Sequence, residues 1–309
     1  MSTRLLLFGS LKMHFACGRY QWTEGDEAPM DKTSSRILSQ VTRFKASQIS
    51  SRELYQCWDS LMNEYGKRSV TFDKDRLPAI AGLARIVGEA LQDQYLAGLW
   101  KGDLLESLLW DSTGPMLSRG LEVHLQNIRQ RNYVAPSWSW AACPVVTSQR
   151  STGKYLQRII KEATIVDAGV DTDSEDPYGR ISGGFLRIRG KLLAMPIWSS
   201  SSQQEEWSNL SIHQAILIGP SISDYHEVST DWLHKDKEQG LDLLVMMLLF
   251  RHEPVGKKRE PCSQALLLHP ADAPKQYYRV GTIVSVGKNS YKDMVTWFKD
   301  SQEDTICII

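Results

Sequence analysis

The stretch YVAPSWSWAACPVV, residues 133–146, holds the side chains of this sequence that most suggest chemistry. Trp138 and Trp140 lie two residues apart, and Cys143 follows them. Two aromatic rings could line an apolar ligand pocket, and a cysteine could act as a nucleophile if the fold placed a histidine beside it. The stretch could therefore be an aromatic ligand platform, the edge of an active site, or a strand packed into a core.

The spacing favours the core. In a strand, Trp138 and Trp140 would share one face, with Ser137 and Ser139 on the other. Each tryptophan buries a large area, and its indole N–H needs one partner. The chain has 10 tryptophans, several of them on helical stripes, so we interpret this pair as structural. We interpret Cys143 as a small apolar side chain at the end of the strand.

Searches for common catalytic motifs predict no catalytic residue. The sequence has no GxSxG elbow, HExxH, P-loop, or GxGxxG after a strand. The glycines of RISGGFLRIRG, residues 180–190, flank a strand instead of opening a helix, which indicates turns or bulges. Asp75 and Arg76 could form an ion pair at the start of a helix, where the aspartate also faces the positive end of the helix dipole.

Metal-ligand patterns are also missing, so we predict neither a metal site nor a cofactor. The acidic stretch DTDSEDPYG, residues 171–179, fails the spacing of a calcium-binding EF-hand and indicates a surface turn. His226 and His234 are interpreted as surface histidines. The 5 cysteines are scattered, with no CxxC pair, and are predicted to be reduced thiols.

Composition limits the classes of partner. The chain has 309 residues, 36 basic and 36 acidic, which argues against a long nucleic-acid groove. Its longest apolar run, residues 241–250, is far shorter than the roughly 20 residues that span a bilayer. The first ten residues do not read as a signal peptide. We therefore expect a cytoplasmic protein with no membrane span.

Periodicity predicts a first half made of a hairpin and helices. Residues 4–8 and 12–17 indicate two strands, and residues 23–35 a surface loop. Apolar residues at helical spacing predict one helix from Ser50 or Ser51 to Gly66 and a second that begins after Asp75. The run KGDLLESLLW, residues 101–110, predicts a third, short helix.

From Tyr133 onwards the sequence indicates strands. The strand candidates are EATIVDAGV, LRIR, AILIG, LDLLVMMLLF, QALLLHP, VGTIVSV and DTICII, with EPVGKKREP as a polar hairpin loop. We predict an α+β protein in which an N-terminal hairpin and helical block, residues 1–130, precede a β-rich region, residues 131–309. The second region is predicted to be a mostly antiparallel β-sandwich or partial barrel, packed with the first as one unit.

Several stretches together resemble one protein family. They are RLLLFGSLKMHFACG, CWDSLMNEYGKRSVTFDKDRLPAIAGLA, YLAGLWKGDLLESLLW, YVAPSWSWAAC, DPYGRISGGFLRIRGKL and YYRVGTIVS. In this order they resemble the part of fungal heterokaryon-incompatibility (HET domain) proteins that lies downstream of the HET domain. The family often has a tryptophan two residues before the cysteine of the first hairpin, where this chain has Phe15 before Cys17.

The resemblance implies a role in non-self recognition between fungal strains, which can trigger programmed cell death. The family's HET domain is similar to TIR domains, some of which cleave NAD. Its motifs, of the type ALSYCWG and GWTLQE, are not present in this sequence, so no catalytic residue is carried over. We expect a truncated, HET-like chain that acts as a non-catalytic recognition or regulatory module, with an apolar surface for self-association or a protein partner.

Two alternatives stay open. The wealth of aromatic residues could line a small-molecule pocket, which would suit an enzyme or a ligand-binding protein recruited to fungal secondary metabolism. A cavity of several hundred Å³ beside Trp138 and Trp140 would favour that alternative. The chain could also be the product of an incomplete gene.

Overall fold

The fold was determined as a computed structural model. The structure describes residues 4–8, 12–17, 20–25, 30–31, 49–66, 68, 70–112, 118–119, 121–129, 133–143, 146–148, 157–194, 225–230, 232–233, 243–254, 261–286 and 294–309. The strand predicted at AILIG, the centre of EPVGKKREP, His234 and the side chain of His226 lie outside the described residues.

The N-terminal strands form an antiparallel sheet of four. The strands are β1 (Arg4–Phe8), β2 (Met13–Cys17), β3 (Tyr20–Thr23) and β4 (Met30–Asp31), in that order. The predicted hairpin is confirmed. The loop predicted over residues 23–35 is wrong at β4, whose two residues pair with β3. A strand this short is made by backbone pairing alone, so it leaves no apolar alternation in the sequence.

Two helices follow, as the periodicity predicted. Helix α1 (Ser51–Gly66) begins at a capping box, because the Ser50 hydroxyl and the Glu53 carboxylate each accept a backbone N–H of the other residue. Helix α2 (Arg76–Leu91) follows a 3-10 turn at Asp73–Asp75. Both helices turn their apolar stripes towards the core.

The third predicted helix, residues 101–110, is helical over residues 101–107 and ends three residues earlier than predicted. A hairpin of two short strands, β5 (Tyr95–Leu96) and β6 (Leu99–Trp100), comes first. It leads into a 3-10 turn and a helix α3 of four residues (Leu104–Ser107). The chain then extends into strand β7 (Trp110–Ser112), which pairs with β9 (Val146–Ser148). The carbonyl of Leu108 accepts a side-chain hydrogen bond from a distant strand, and tertiary contacts of this kind override the helical pattern.

Strand β8 (Ser118–Arg119) and helix α4 (Leu121–Arg129) lie between β7 and β9 in the sequence. The remaining strands are β10 (Gln157–Lys161), β11 (Ala163–Thr172), β12 (Ile181–Ala194), β13 (Tyr225–Thr230), β14 (Trp232–Leu233), β15 (Val245–Pro254), β16 (Cys262–Pro270), β17 (Gln276–Val286) and β18 (Glu303–Ile308). Strand β14 pairs with β8.

Eight of these strands form one sheet, mostly antiparallel, which confirms the α+β class. Its order is β10-β15-β16-β17-β18-β12-β11, with β13 paired to β17. Strand β12 also pairs with β15, so strands β15-β16-β17-β18-β12 close into a ring as in a barrel. The pairing of β17 with β18 is parallel.

Strands β15 and β16 are buried on both faces. Met247 and Leu249 belong to a core that also holds the apolar residues of α1 and α2. Met246 and Leu248 belong to a second core, formed with α4 and with Phe298 near the C-terminus. This explains why their sequences are continuous apolar runs. The first core takes residues from both sides of position 130, although the boundary there stays a prediction.

Three histidines are buried within these layers. Burial lowers the pKa of His124 in α4 to about 4, and the nearby positive charge of Arg279 acts in the same direction. Burial also lowers the pKa of His252 in β15 and of His269 in β16. Each of these side chains therefore favours its neutral form in the folded protein.

The first prediction concerns pH. Because the pKa of His124 is lower in the folded than in the unfolded chain, the unfolded chain binds a proton first as the solution is acidified. The contribution of His124 to the free energy of unfolding should therefore be fully present above about pH 7. It should fall between about pH 6.5 and 4, by up to ~3 kcal/mol. Urea unfolding of the protein and of His124→Gln across this range measures it. An equal dependence on pH in both proteins would contradict the assignment.

Candidate functional site

The segment of residues 133–143 is a turn followed by a 3-10 helix at Trp140–Ala142. The prediction that Trp138 and Trp140 lie in a strand is therefore wrong, while the prediction that they are buried is confirmed. Ser137 and Ser139 are buried as well. A strand would have placed the serines on the opposite face, whereas the turn directs all four side chains into the protein.

The turn of the β5–β6 hairpin is the partner of this segment. Ala97 and Gly98 both have positive φ, 49° and 95°, as a tight two-residue hairpin turn requires. The carbonyl of Gly98 accepts two indole N–H groups, from Trp58 at 2.8 Å and from Trp140 at 2.9 Å. The Ser139 hydroxyl donates to the Ala97 carbonyl at 2.5 Å. One hairpin turn thus joins helix α1 to the tryptophan segment.

Aromatic rings close the space around this turn. The Trp58 ring centroid lies 5.5 Å from that of Trp100, in an edge-to-face arrangement. The Tyr95 centroid lies 5.1 Å from Trp100 and 5.0 Å from Tyr178. Burial raises the pKa of the Tyr95 hydroxyl. These rings contact each other edge to face or tilted, as aromatic residues do in a core.

Ser137 connects the same segment to the sheet. Its backbone N–H donates to the carbonyl of Ile309 at 3.1 Å, and its hydroxyl donates to the same carbonyl. The hydroxyl also accepts the backbone N–H of Arg279 at 2.9 Å. A single buried serine therefore holds strand β17 and the end of the chain together.

Arg279 is the buried charge that joins the helical block to the sheet. Its side chain is fully buried, and its Nε donates to the Leu108 carbonyl at 3.1 Å. Its Nη2 donates to the carbonyl of Trp110, and its Cζ lies 3.5 Å from the Trp110 ring centroid. The Trp110 indole in turn donates to the Trp138 carbonyl at 3.0 Å. Sequence reasoning missed this role, although an arginine inside the apolar run YYRVGTIV was a signal for it.

The structure does not pair Asp75 with Arg76, so that prediction is wrong. Asp75 binds Arg180 at 2.6 Å, from the turn after β11. The Arg76 guanidinium binds Asp73 through Nη2 and donates through Nη1 to the Ala141 carbonyl at 2.9 Å. Adjacent residues of a helix point in different directions, and each side chain takes a partner on its own side.

The acidic stretch of residues 171–179 packs against α2. Besides the pair of Asp75 and Arg180, Asp176 binds Arg85 at 3.0 Å. The Arg85 guanidinium also lies 5.1 Å from the Tyr178 ring centroid. Among the described residues, no group of three or more His, Cys, Asp and Glu side chains could hold a metal ion.

A cleft opens beside the tryptophan segment, between the end of α1 and the start of α2. It is lined by Tyr65, Gly66, Arg68, Val70, Arg76, Trp140 and Cys143. Its enclosed part has room for about one water molecule. A drug-sized ligand needs a cavity of roughly 300 Å³ or more. This cleft therefore does not supply the pocket that the small-molecule alternative requires.

The cysteines form no disulfide, and all five are thiols as predicted. Burial raises the pKa of Cys57 to about 11 and that of Cys262 to about 12. These two are poor nucleophiles at neutral pH, because the thiolate is the reactive form. Cys143 is buried in the wall of the cleft.

Comparisons of the chain with family models, with curated proteins and with solved structures found no match. The resemblance to HET-domain proteins thus stays a prediction. In the described part of the chain, no helix is long and apolar enough to cross a membrane.

The second prediction tests the hairpin turn. A Cβ at Gly98 would lie 2.4 Å from the Trp140 Nε1, in a backbone conformation that favours glycine. Gly98→Ala should therefore destabilise the protein by about 2–4 kcal/mol. The control is Gly82→Ala on the exposed face of α2, where a Cβ meets nothing within 4 Å and should stabilise by about 0.5–1 kcal/mol. Urea unfolding compares the two, and a tolerated Gly98→Ala would contradict the geometry.

Proposed function

We propose that the chain is a HET-like protein that acts in fungal non-self recognition as a non-catalytic recognition or regulatory module. It works in the cytoplasm by binding a protein partner. The observation that supports this proposal is the set of contacts that join the motifs. Side chains of YVAPSWSWAAC bind backbone groups of YLAGLW, 42 residues away, and of YYRVGTIVS, 142 residues away.

These internal contacts occupy the groups that chemistry would need. The hydroxyls of Ser137 and Ser139 are bound to backbone carbonyls. The guanidinium of Arg279 is bound to two carbonyls of the helical block. Internal contacts of this kind fix the shape of the protein surface. A recognition module presents that shape to its partner.

Cys143 separates this proposal from the enzymatic alternative. It is the thiol in the cleft, so an enzyme built on this cleft would depend on it as a nucleophile. A recognition module would depend only on its volume. Cys143→Ala keeps a small apolar side chain in the wall and removes the sulfur.

The third prediction concerns cell death in fused fungal cells. The chain is expressed in a filamentous fungus, and the strain is fused with one that lacks it. Uptake of a vital dye by fused cells should exceed that with an empty vector, and Cys143→Ala should give the same uptake. Dye uptake equal to that with the empty vector would overturn the role in incompatibility. A loss of uptake in Cys143→Ala at an unchanged melting temperature would overturn the non-catalytic role.

A further inference from the structure

We propose that the cleft between α1 and α2 binds an acidic segment of a partner protein, whose carboxylate replaces Asp73 on the Arg76 guanidinium. An apolar side chain beside that carboxylate packs on Phe72. This inference names the chemistry of the partner, and it rests on the recognition function proposed above.

Arg76 presents a fixed guanidinium to the cleft. Its side chain is 10% exposed, and Nη1 is held by the Ala141 carbonyl at 2.9 Å. The backbone carbonyl of Arg76 accepts the Tyr65 hydroxyl at 2.9 Å, and the Tyr65 ring lies 5.9 Å from the Trp140 ring. A group held in this way loses little freedom on binding, which favours affinity.

Asp73 is a solvent-exposed occupant of this guanidinium. Its side chain is 67% exposed and lies three residues before Arg76 in the 3-10 turn. The guanidinium itself is mostly buried, so it is costly to leave without an anion. A second carboxylate that arrives keeps this guanidinium paired, while the exposed Asp73 carboxylate turns into solvent.

Arg68 makes the cleft a better site for a ligand carboxylate than for that of Asp73. It is exposed in the cleft wall, and among the described residues its guanidinium forms no ion pair. Both arginines line the cleft, so we expect a carboxylate there to accept from both. Charge-assisted hydrogen bonds of this kind are about twice as strong as neutral ones.

The size of the cleft and the position of Phe72 define the rest of the ligand. Only a small group fits into the enclosed space, so the remainder must lie on the surface. Phe72 is 67% exposed and stands two residues beyond Val70, which lines the cleft. An aromatic ring this exposed suits an apolar contact next to a charged anchor. An acidic peptide with a neighbouring leucine has both features.

The fourth prediction uses the purified full chain and a fluorescein-labelled, acetylated and amidated hexapeptide with a central glutamate between leucines. Fluorescence polarisation at low salt measures its dissociation constant. Asp73→Asn should bind the peptide about three- to tenfold more tightly, since the competing carboxylate is removed. Arg68→Gln should bind about tenfold more weakly, and Phe72→Ala should also bind more weakly.

The controls separate the cleft from the overall charge. Asp300→Asn and Lys299→Gln make the same changes of charge on the exposed turn before β18, and should leave the dissociation constant unchanged. A peptide with glutamine in place of glutamate should lose binding. The proposal is overturned if Asp300→Asn tightens binding as much as Asp73→Asn, if the two peptides bind equally, or if Asp73→Asn binds no peptide at millimolar concentration.

The two proposals fail separately. Dye uptake in fused cells that persists in both Arg68→Gln and Phe72→Ala would retain the recognition function and reject this cleft. Peptide binding without any dye uptake would retain the cleft and reject the role in incompatibility.

Discussion

A charged guanidinium buried in the wall of the sheet sets the relation between the two halves of this protein. Burying an arginine is costly unless its donors are all directed at acceptors. Arg279 directs its Nε and its Nη2 at the carbonyls of Leu108 and Trp110, at the end of the helical block. Those carbonyls are free to accept because the chain leaves its helix at that point. The early end of α3 thus supplies the carbonyls through which Arg279 anchors the sheet.

Much of the fold was predictable because local rules determined it. The first two helices show apolar residues at helical spacing, and Ser50 and Glu53 form the capping box that marks the start of α1. The long strands have apolar runs or alternation, which place them in a sheet buried on one or both faces. Burial of the tryptophan pair followed from the area of the two rings, independently of the backbone conformation.

The candidate site was less predictable, because its contacts join residues far apart in the chain. The segment PSWSW was expected to be a strand, but the Ser139 hydroxyl and the Trp140 indole both find acceptors in the hairpin turn at Ala97 and Gly98. Arg180 is the partner of Asp75, about a hundred residues away. The sequence shows which side chains carry charge or a donor, whereas the fold decides which acceptor each one meets.

We expect the motif residues to join the helical block and the sheet into one cooperative unit with a fixed surface. Native-state hydrogen exchange on the protein and on Arg279→Met measures whether the two parts open together. Losing the donors to two buried carbonyls should lower the opening free energy by about 2–4 kcal/mol. The opening free energy should decrease equally for amides of α2 and of β16. A decrease confined to the sheet, with α2 unchanged, would contradict this expectation.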